Sequence, residues 1–286
     1  MNPLLSPRYD DVFKMLFGDA RNGEILQAFL EAALPLSDDD YREIILLNLY
    51  LPNENVGDKA GILDIKAKTA SGKMIDIEIQ MANHAALHER IVYYLAKMVT
   101  EQISEGELYD KIKPAICILI TDFEMVPENR GYHNRFRLHD PESRTDFCKA
   151  QNHLLQIHTL ELPKLPKQED GTKLWDWLEF LKAKDKEELN MLAEKNPDVK
   201  KAVVKLIELS ADDKARMLHE ARIKAERDQK AREKFVQDEA WKIGLEEGRK
   251  NERLAIARNA LHKNMLLEDI MALTGLSREE IQTLLH

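Results

Sequence analysis

Two carboxylates facing each other across a pair of strands are the feature of this chain best suited to chemistry. In the stretch ILDIKAKTASGKMIDIEIQ, residues 62–80, charged or polar side chains recur at every second position. Alternate strand residues share a face, so Leu63, Ile65 and Ala67 fall on one side and Asp64, Lys66 and Lys68 on the other. Ile75, Ile77 and Ile79 are likewise separated from Asp76, Glu78 and Gln80. A three-residue loop, Ala70-Ser71-Gly72, places glycine in the left-handed third position that such loops favour. The register then follows: Lys66 opposite Asp76, Asp64 opposite Glu78, and Ile62 opposite Gln80. A two-residue loop would set charges against isoleucines.

Like charges directly opposite destabilise a ladder, and their Cβ atoms lie roughly 4.5–5.5 Å apart. Asp64 and Glu78 therefore ask for a cation or for a proton. A hard divalent ion, Mg²⁺ or Mn²⁺, suits two carboxylates and keeps several waters. Asp64 and Glu78 are the candidate metal ligands. Gln80, on the same face, is placed to hold a water or a phosphate oxygen, and Lys66 opposite Asp76 reads as a cross-strand ion pair. The competing reading of the whole pattern is the solvated face of a two-sided sheet.

The surrounding pattern supplies elements to position this hairpin. Residues 7–34 carry apolar residues at helical spacing, broken at Gly18, which predicts two short helices. IILLNLYL (44–51) predicts a strand, and HAALHERIVYYLAKMVTEQI a helix ended near Gly106. KPAICILITDF reads as a buried strand, and HNRFRLHD and HLLQIHTLEL as two more. Prolines and charges in LPKLPKQEDG (162–171) mark a boundary, beyond which every segment reads as helix. Residues 211–262 form one long charged helix weakened at Gly244 and Gly248. TGLS separates two terminal helices, with Ser277 and Glu280 spaced as a capping box.

The chain has 286 residues and a net charge of −9. Residues 211–263 hold 14 Lys/Arg against 11 Asp/Glu, so contact with a polyanion would have to be local. Cys117 and Cys148 do not have zinc-site spacing or form a disulfide framework. The N-terminus lacks a signal-peptide pattern, and no apolar run approaches the ~20 residues of a membrane span. These features predict a soluble, cytoplasmic protein with no membrane partner.

Asp64 followed by Glu78-Ile79-Gln80 resembles the PD-(D/E)XK nuclease core, in which an Asp on one strand precedes an acid-x-Lys on the next. More closely, the chain resembles the Rpn family of recombination-promoting nucleases. The likeness runs through SPRYDDVFKMLFG, the hairpin, ERIVYYLAKM, GELYDKIKPAICILITDF, LELPKL and LTGLSREEIQTLL. The departure from the general pattern is Gln80 in place of lysine. Lys66, on the face of Asp64, is the candidate for a migrated lysine. The resemblance implies a metal-dependent DNA endonuclease serving mobile-element recombination or defence. It gives Asp64 and Glu78 to the metal and Gln80 to the water or phosphate. It adds Asp10, within the family's early D-x-x-F-K, as a further acid; as an alternative, Asp10 is a helix-dipole partner. Arg90 and Tyr94, one helical turn apart, are candidate phosphate contacts, and Lys66 is a third. His84 and His88 also have metal-ligand spacing, without an evident third ligand.

The expected architecture is α/β: a restriction-endonuclease-like mixed sheet flanked by helices at 1–165, and an α-helical C-terminal region at 166–286. The terminal helix pair suggests a helix-turn-helix. Its second helix is short and not basic, so a helical cap or a homodimer contact is the favoured reading. The rival functions are a non-catalytic DNA-binding or assembly protein and an RNA nuclease.

Overall fold

A computed structural model describes residues 4–47, 65–83, 85–147 and 153–285. Its elements, in chain order, are α1 (Asp10–Phe17), α2 (Gly23–Ala33), α3 (Asp38–Tyr41), β1 (Ile44–Leu46), β2 (Ile65–Thr69) and β3 (Met74–Gln80). Then come α4 (Leu87–Thr100), β4 (Ala115–Thr121), β5 (His133–Arg137), β6 (Leu155–Glu161), α5 (Lys173–Lys182), α6 (Lys186–Lys195) and α7 (Pro197–Ala211). The chain ends in α8 (Asp213–His262), α9 (Leu267–Thr274) and α10 (Arg278–Gln282).

Among the described residues, six strands form one mixed sheet in the order β1-β2-β3-β4-β6-β5. The inner strands β3, β4 and β6 run parallel, and β1, β2 and β5 are antiparallel to their neighbours. This is the expected α/β fold, with helices on both faces. One face, bearing Ile65, Ala67, Ile75, Ile77, Ile116 and Ile118, packs in a single core with α1, α2, α5 and α7. The other, bearing Met74, Cys117 and Leu119, is covered by Leu87, Ile91, Leu95 and Met98 of α4. That double cover explains why β4 is apolar at nearly every position: a parallel strand shielded on both sides has no polar face.

The hairpin adopts the expected register. Ile65 pairs with Ile77, Lys66 with Asp76, Ala67 with Ile75 and Lys68 with Met74. The Thr69 N–H donates to the Lys73 carbonyl at 2.9 Å. Gly72 closes the turn at φ +92°, where a side chain would be strained and a Cβ would meet the Lys113 side chain at 3.2 Å. Asp64, and with it the Asp64–Glu78 rung, lies outside the described residues. A buried clamp holds the turn: Asp40, fully buried in α3, accepts hydrogen bonds from Ser71 and from the Lys73 ammonium at 2.6 Å.

α1 and α2 form as two helices. The Gly18 N–H caps α1 on the Lys14 carbonyl, and a Cβ there would sit 2.8 Å from that oxygen. Phe17 and Phe29 then pack on Trp177 of α5, with ring centroids 5.8 and 5.9 Å apart. That aromatic contact places α5 in the same core as the sheet. The compact division falls after Arg222, and the boundary expected at 165/166 lies inside the first unit.

The second unit, 223–286, comprises the remainder of α8 with α9 and α10. α8 is continuous through Gly244 and Gly248. Ala257, Ala260, Ile270, Leu276 and Ile281 form a small core of their own. Gly275 ends α9 in the left-handed conformation, and Ser277 and Glu280 make the expected capping box. Among the described residues no helix is long and apolar enough to cross a membrane.

Candidate active site at the carboxyl end of the parallel strands

Polar side chains gather where β3 and β4 end, the end of a parallel sheet at which ligands bind in open α/β folds. The face of β3 that carries Met74, Asp76, Glu78 and Gln80 is the face under α4. It is not solvated: Asp76 is fully buried and Glu78 is 3% exposed. The solvated-face reading is therefore excluded for these two acids. A buried carboxylate must find compensation, and α4 provides it. Arg90 Nη2 donates to Glu78 Oε2 at 3.1 Å, and its side chain remains 40% exposed. The Arg90 Nε is buried without a hydrogen-bond partner among the described residues. Tyr94 lies one turn further along α4, half-buried.

At the other end of α4, Lys66 Nζ donates to Glu101 Oε2 at 2.7 Å. That bond, aided by Lys97, holds the Glu101 carboxyl below its ordinary range. The alternating charges of the hairpin thus face a helix whose own charged residues answer them.

Gln80 is half-exposed at the last position of β3, and its carbonyl accepts the Asp122 N–H at 3.0 Å. Asp122, just beyond β4, in turn accepts Arg8 Nη1 at 3.2 Å. Asp10 begins α1, on the opposite face of the sheet from α4. Its carboxylate accepts Arg222 Nη2 at 3.0 Å and the Asp11 N–H at 2.8 Å, and lies 3.9 Å from Lys14 Nζ. The structure therefore joins Glu78 to Arg90, sets Gln80 two residues away on the same strand, and gives Asp10 partners from α1 and the start of α8. Asp64 and His84 are outside the described residues.

Cys117 was not among the expected site residues. It sits one strand over from Asp76, its thiol 3.9 Å from Asp76 Oδ2. Burial and then the charges of Asp76 and Glu78 push that thiol well above its ordinary pKa, so it remains a thiol. Arg8 and Asp122 were also missed. The β3–β4 pairing that brings Asp122 beside Gln80 spans a helix, and Arg8 meets Asp122 from 114 residues away, so no local pattern encodes either.

The donors here suit a hard cation. Glu78 offers a buried carboxylate that already draws a positive group to itself, and Gln80 offers an amide oxygen on the same face. Among the described residues no group of three or more His, Cys, Asp or Glu side chains is gathered for a metal ion.

Comparison with known proteins follows the same lines. A family model described as "PD-(D/E)XK nuclease family transposase" matches residues 7–234. A second, "Rpn/YhgA-like nuclease family, C-terminal HTH domain", matches residues 250–286. No curated protein and no solved structure matches the chain.

Proposed function

Because the chain belongs to the PD-(D/E)XK nuclease family transposases and ends in an Rpn/YhgA-like helix-turn-helix domain, we propose that it is a divalent-metal-dependent DNA endonuclease acting at the end of β3. The observation that carries this reading is Glu78: a carboxylate 3% exposed, near the end of a central strand, paired with the Arg90 guanidinium, which is 40% exposed. A buried carboxylate whose cationic partner reaches solvent is one that an incoming cation can reach by displacing that partner.

Asp64 and Glu78 would hold Mg²⁺ or Mn²⁺. The register expected from sequence, in which Asp64 faces Glu78, is the one that the observed pairs from Ile65–Ile77 to Lys68–Met74 follow. When bound, the ion lowers the pKa of a ligated water and offsets charge on the scissile phosphate. Gln80 orients the water or a phosphate oxygen through its amide. Lysine would add charge there, and Gln80 supplies none, so the cationic share falls to Arg90, with Tyr94 beside it as a second phosphate donor. Lys66 is committed to Glu101 and serves the site by holding α4 against the hairpin. Asp10 adds an acid from the opposite side of the sheet. The helix-turn-helix brings the duplex to the protein.

The second reading is a DNA-binding protein with a degenerate nuclease core, favoured by Gln80 in place of lysine. Calorimetry with Mn²⁺ decides between them without reference to turnover. The nuclease reading expects saturable binding that Glu78→Gln and Asp64→Asn each abolish. A wild-type protein that binds no metal would leave the degenerate core.

A further inference from the structure

A second concentration of charge lies on the outermost strand. β5 pairs with β6 at the sheet edge, and His133, Arg135 and Arg137 share one face, opposite Leu160, His158 and Gln156. Arg135 is exposed, and His158 is 1% exposed beneath it. His133 Nε2 and His158 Nδ1 share a hydrogen bond at 2.9 Å. Arg137 Nη1 donates to His153 Nε2 at 2.9 Å, and the far side of that ring lies 3.6 Å from Asp146. Two buried polar atoms, Arg137 Nε and His158 Nε2, have no hydrogen-bond partner among the described residues.

The electrostatics of the strip are one-sided. Burial and the Arg135 charge lower His133 to about 4. Burial, His133, Arg135 and Arg137 lower His158 to about 3. Both rings are neutral at pH 7, so two guanidinium groups stand two residues apart with uncharged imidazoles packed among them. Such an arrangement calls for an anion from outside. From His133 to Arg137 the strip runs roughly 14 Å, which is too long for one small anion and suits a chain of them. His133 is level with Leu160, and Gln80 is level with Thr121 and Glu161. The strip therefore begins at the end of the sheet where Glu78 and Gln80 lie, three strand spacings or roughly 14 Å away, but on the opposite face, since Gln80 shares its face with Thr121, Glu161 and Thr159 and the strip shares its face with Leu160, His158 and Gln156.

We propose that this face of β5 is a docking surface for the phosphate backbone of duplex DNA, with Arg135 and Arg137 meeting successive phosphates. It rests on the reading of the protein as a DNA enzyme and adds a contact surface separate from Glu78 and from the helix-turn-helix.

The test is the salt dependence of duplex binding by the full chain in EDTA, where cleavage plays no part. Each phosphate contact adds about one to the slope of log K against log salt. Arg135→Ala should reduce the slope by about one, Arg135→Glu by more, and Arg135→Lys should retain it. Arg42→Ala removes an equal charge from an exposed pair with Asp39 and should leave the slope in place. Equal slopes for wild type and Arg135→Glu would overturn the proposal, as would a wild type that binds no duplex. Metal-dependent cleavage by wild type and Glu78→Gln is scored separately. Cleavage with an Arg135-independent slope sinks only the docking surface; an Arg135-dependent slope without cleavage sinks only the nuclease.

Discussion

Glu78 has two claimants, a guanidinium and a metal ion, and they compete. Arg90 satisfies the carboxylate when no metal is bound, so the ion must displace it or share it. Arg90→Ala should therefore tighten Mn²⁺ binding in calorimetry. It should also cost about 1–2 kcal/mol of stability without metal, the lower part of the range for charged hydrogen bonds because Arg90 is well exposed. An unchanged or weaker metal affinity would show that Arg90 does not contend for Glu78. Gln80→Ala should slow cleavage less than Glu78→Gln, because an orienting amide leaves the ion in place; kcat at saturating metal measures the difference. The acids on β3 were legible because strand alternation assigns faces from sequence alone. Their partners were not: Arg90 and Glu101 come from α4, and only packing decides which of its charges turn inward.

The hairpin shows how one element fixes a site. Its register was legible because a slip of one residue would bury charge and expose isoleucine, and Gly72 pins the turn. Gly72→Ala should destabilise the protein by at least about 1 kcal/mol, read from denaturant midpoints. The Asp40 clamp gives the turn a pH signature. Burial opposes ionisation of Asp40, but Lys73, Ser71 and Ser37 outweigh it and lower its pKa from 3.8 to about 2. A carboxyl with a depressed folded pKa contributes stability that is complete above about 4 and lost as pH falls toward 2, here roughly 2 kcal/mol. Asp40→Asn should remove that acid dependence from melts between pH 4 and 2. The edge strand acts at higher pH. His133 and His158 are bases with lowered folded pKa values, so the unfolded chain takes up protons first. Stability should then fall as pH drops from about 6.5 toward 4, and His158→Gln should flatten the decline. Neither feature could be read from sequence: Asp40 meets Lys73 across 33 residues and His133 meets His158 across 25.

At the scale of the whole molecule, the first 222 residues and the last 64 are separate compact units. The Pro-rich stretch at 162–171 suggested an earlier boundary, but Leu162 and Leu165 are buried in the core and α5 follows them into it. Proline marks a turn in the chain there, and α5 carries Trp177 and Phe180 into the same core beyond it. The terminal helices were legible as helices through the Ser277 capping box. Their short, acidic last helix argued against groove reading, whereas the family match identifies a helix-turn-helix. Ile281 is fully buried in that unit's small core. Ile281→Asp should unfold the unit and weaken duplex binding while leaving the Mn²⁺-induced rise in melting temperature of the first unit; loss of both would mean that the two units fold together. The central claim, that Glu78 belongs to a metal-dependent DNA-cleaving site, is tested most directly by nicking of supercoiled plasmid with Mg²⁺ or Mn²⁺, comparing wild type, Asp64→Asn, Glu78→Gln and an EDTA control. Nicking by wild type that EDTA and either substitution reduce to background is the expected result; nicking by Glu78→Gln at the wild-type rate would contradict it.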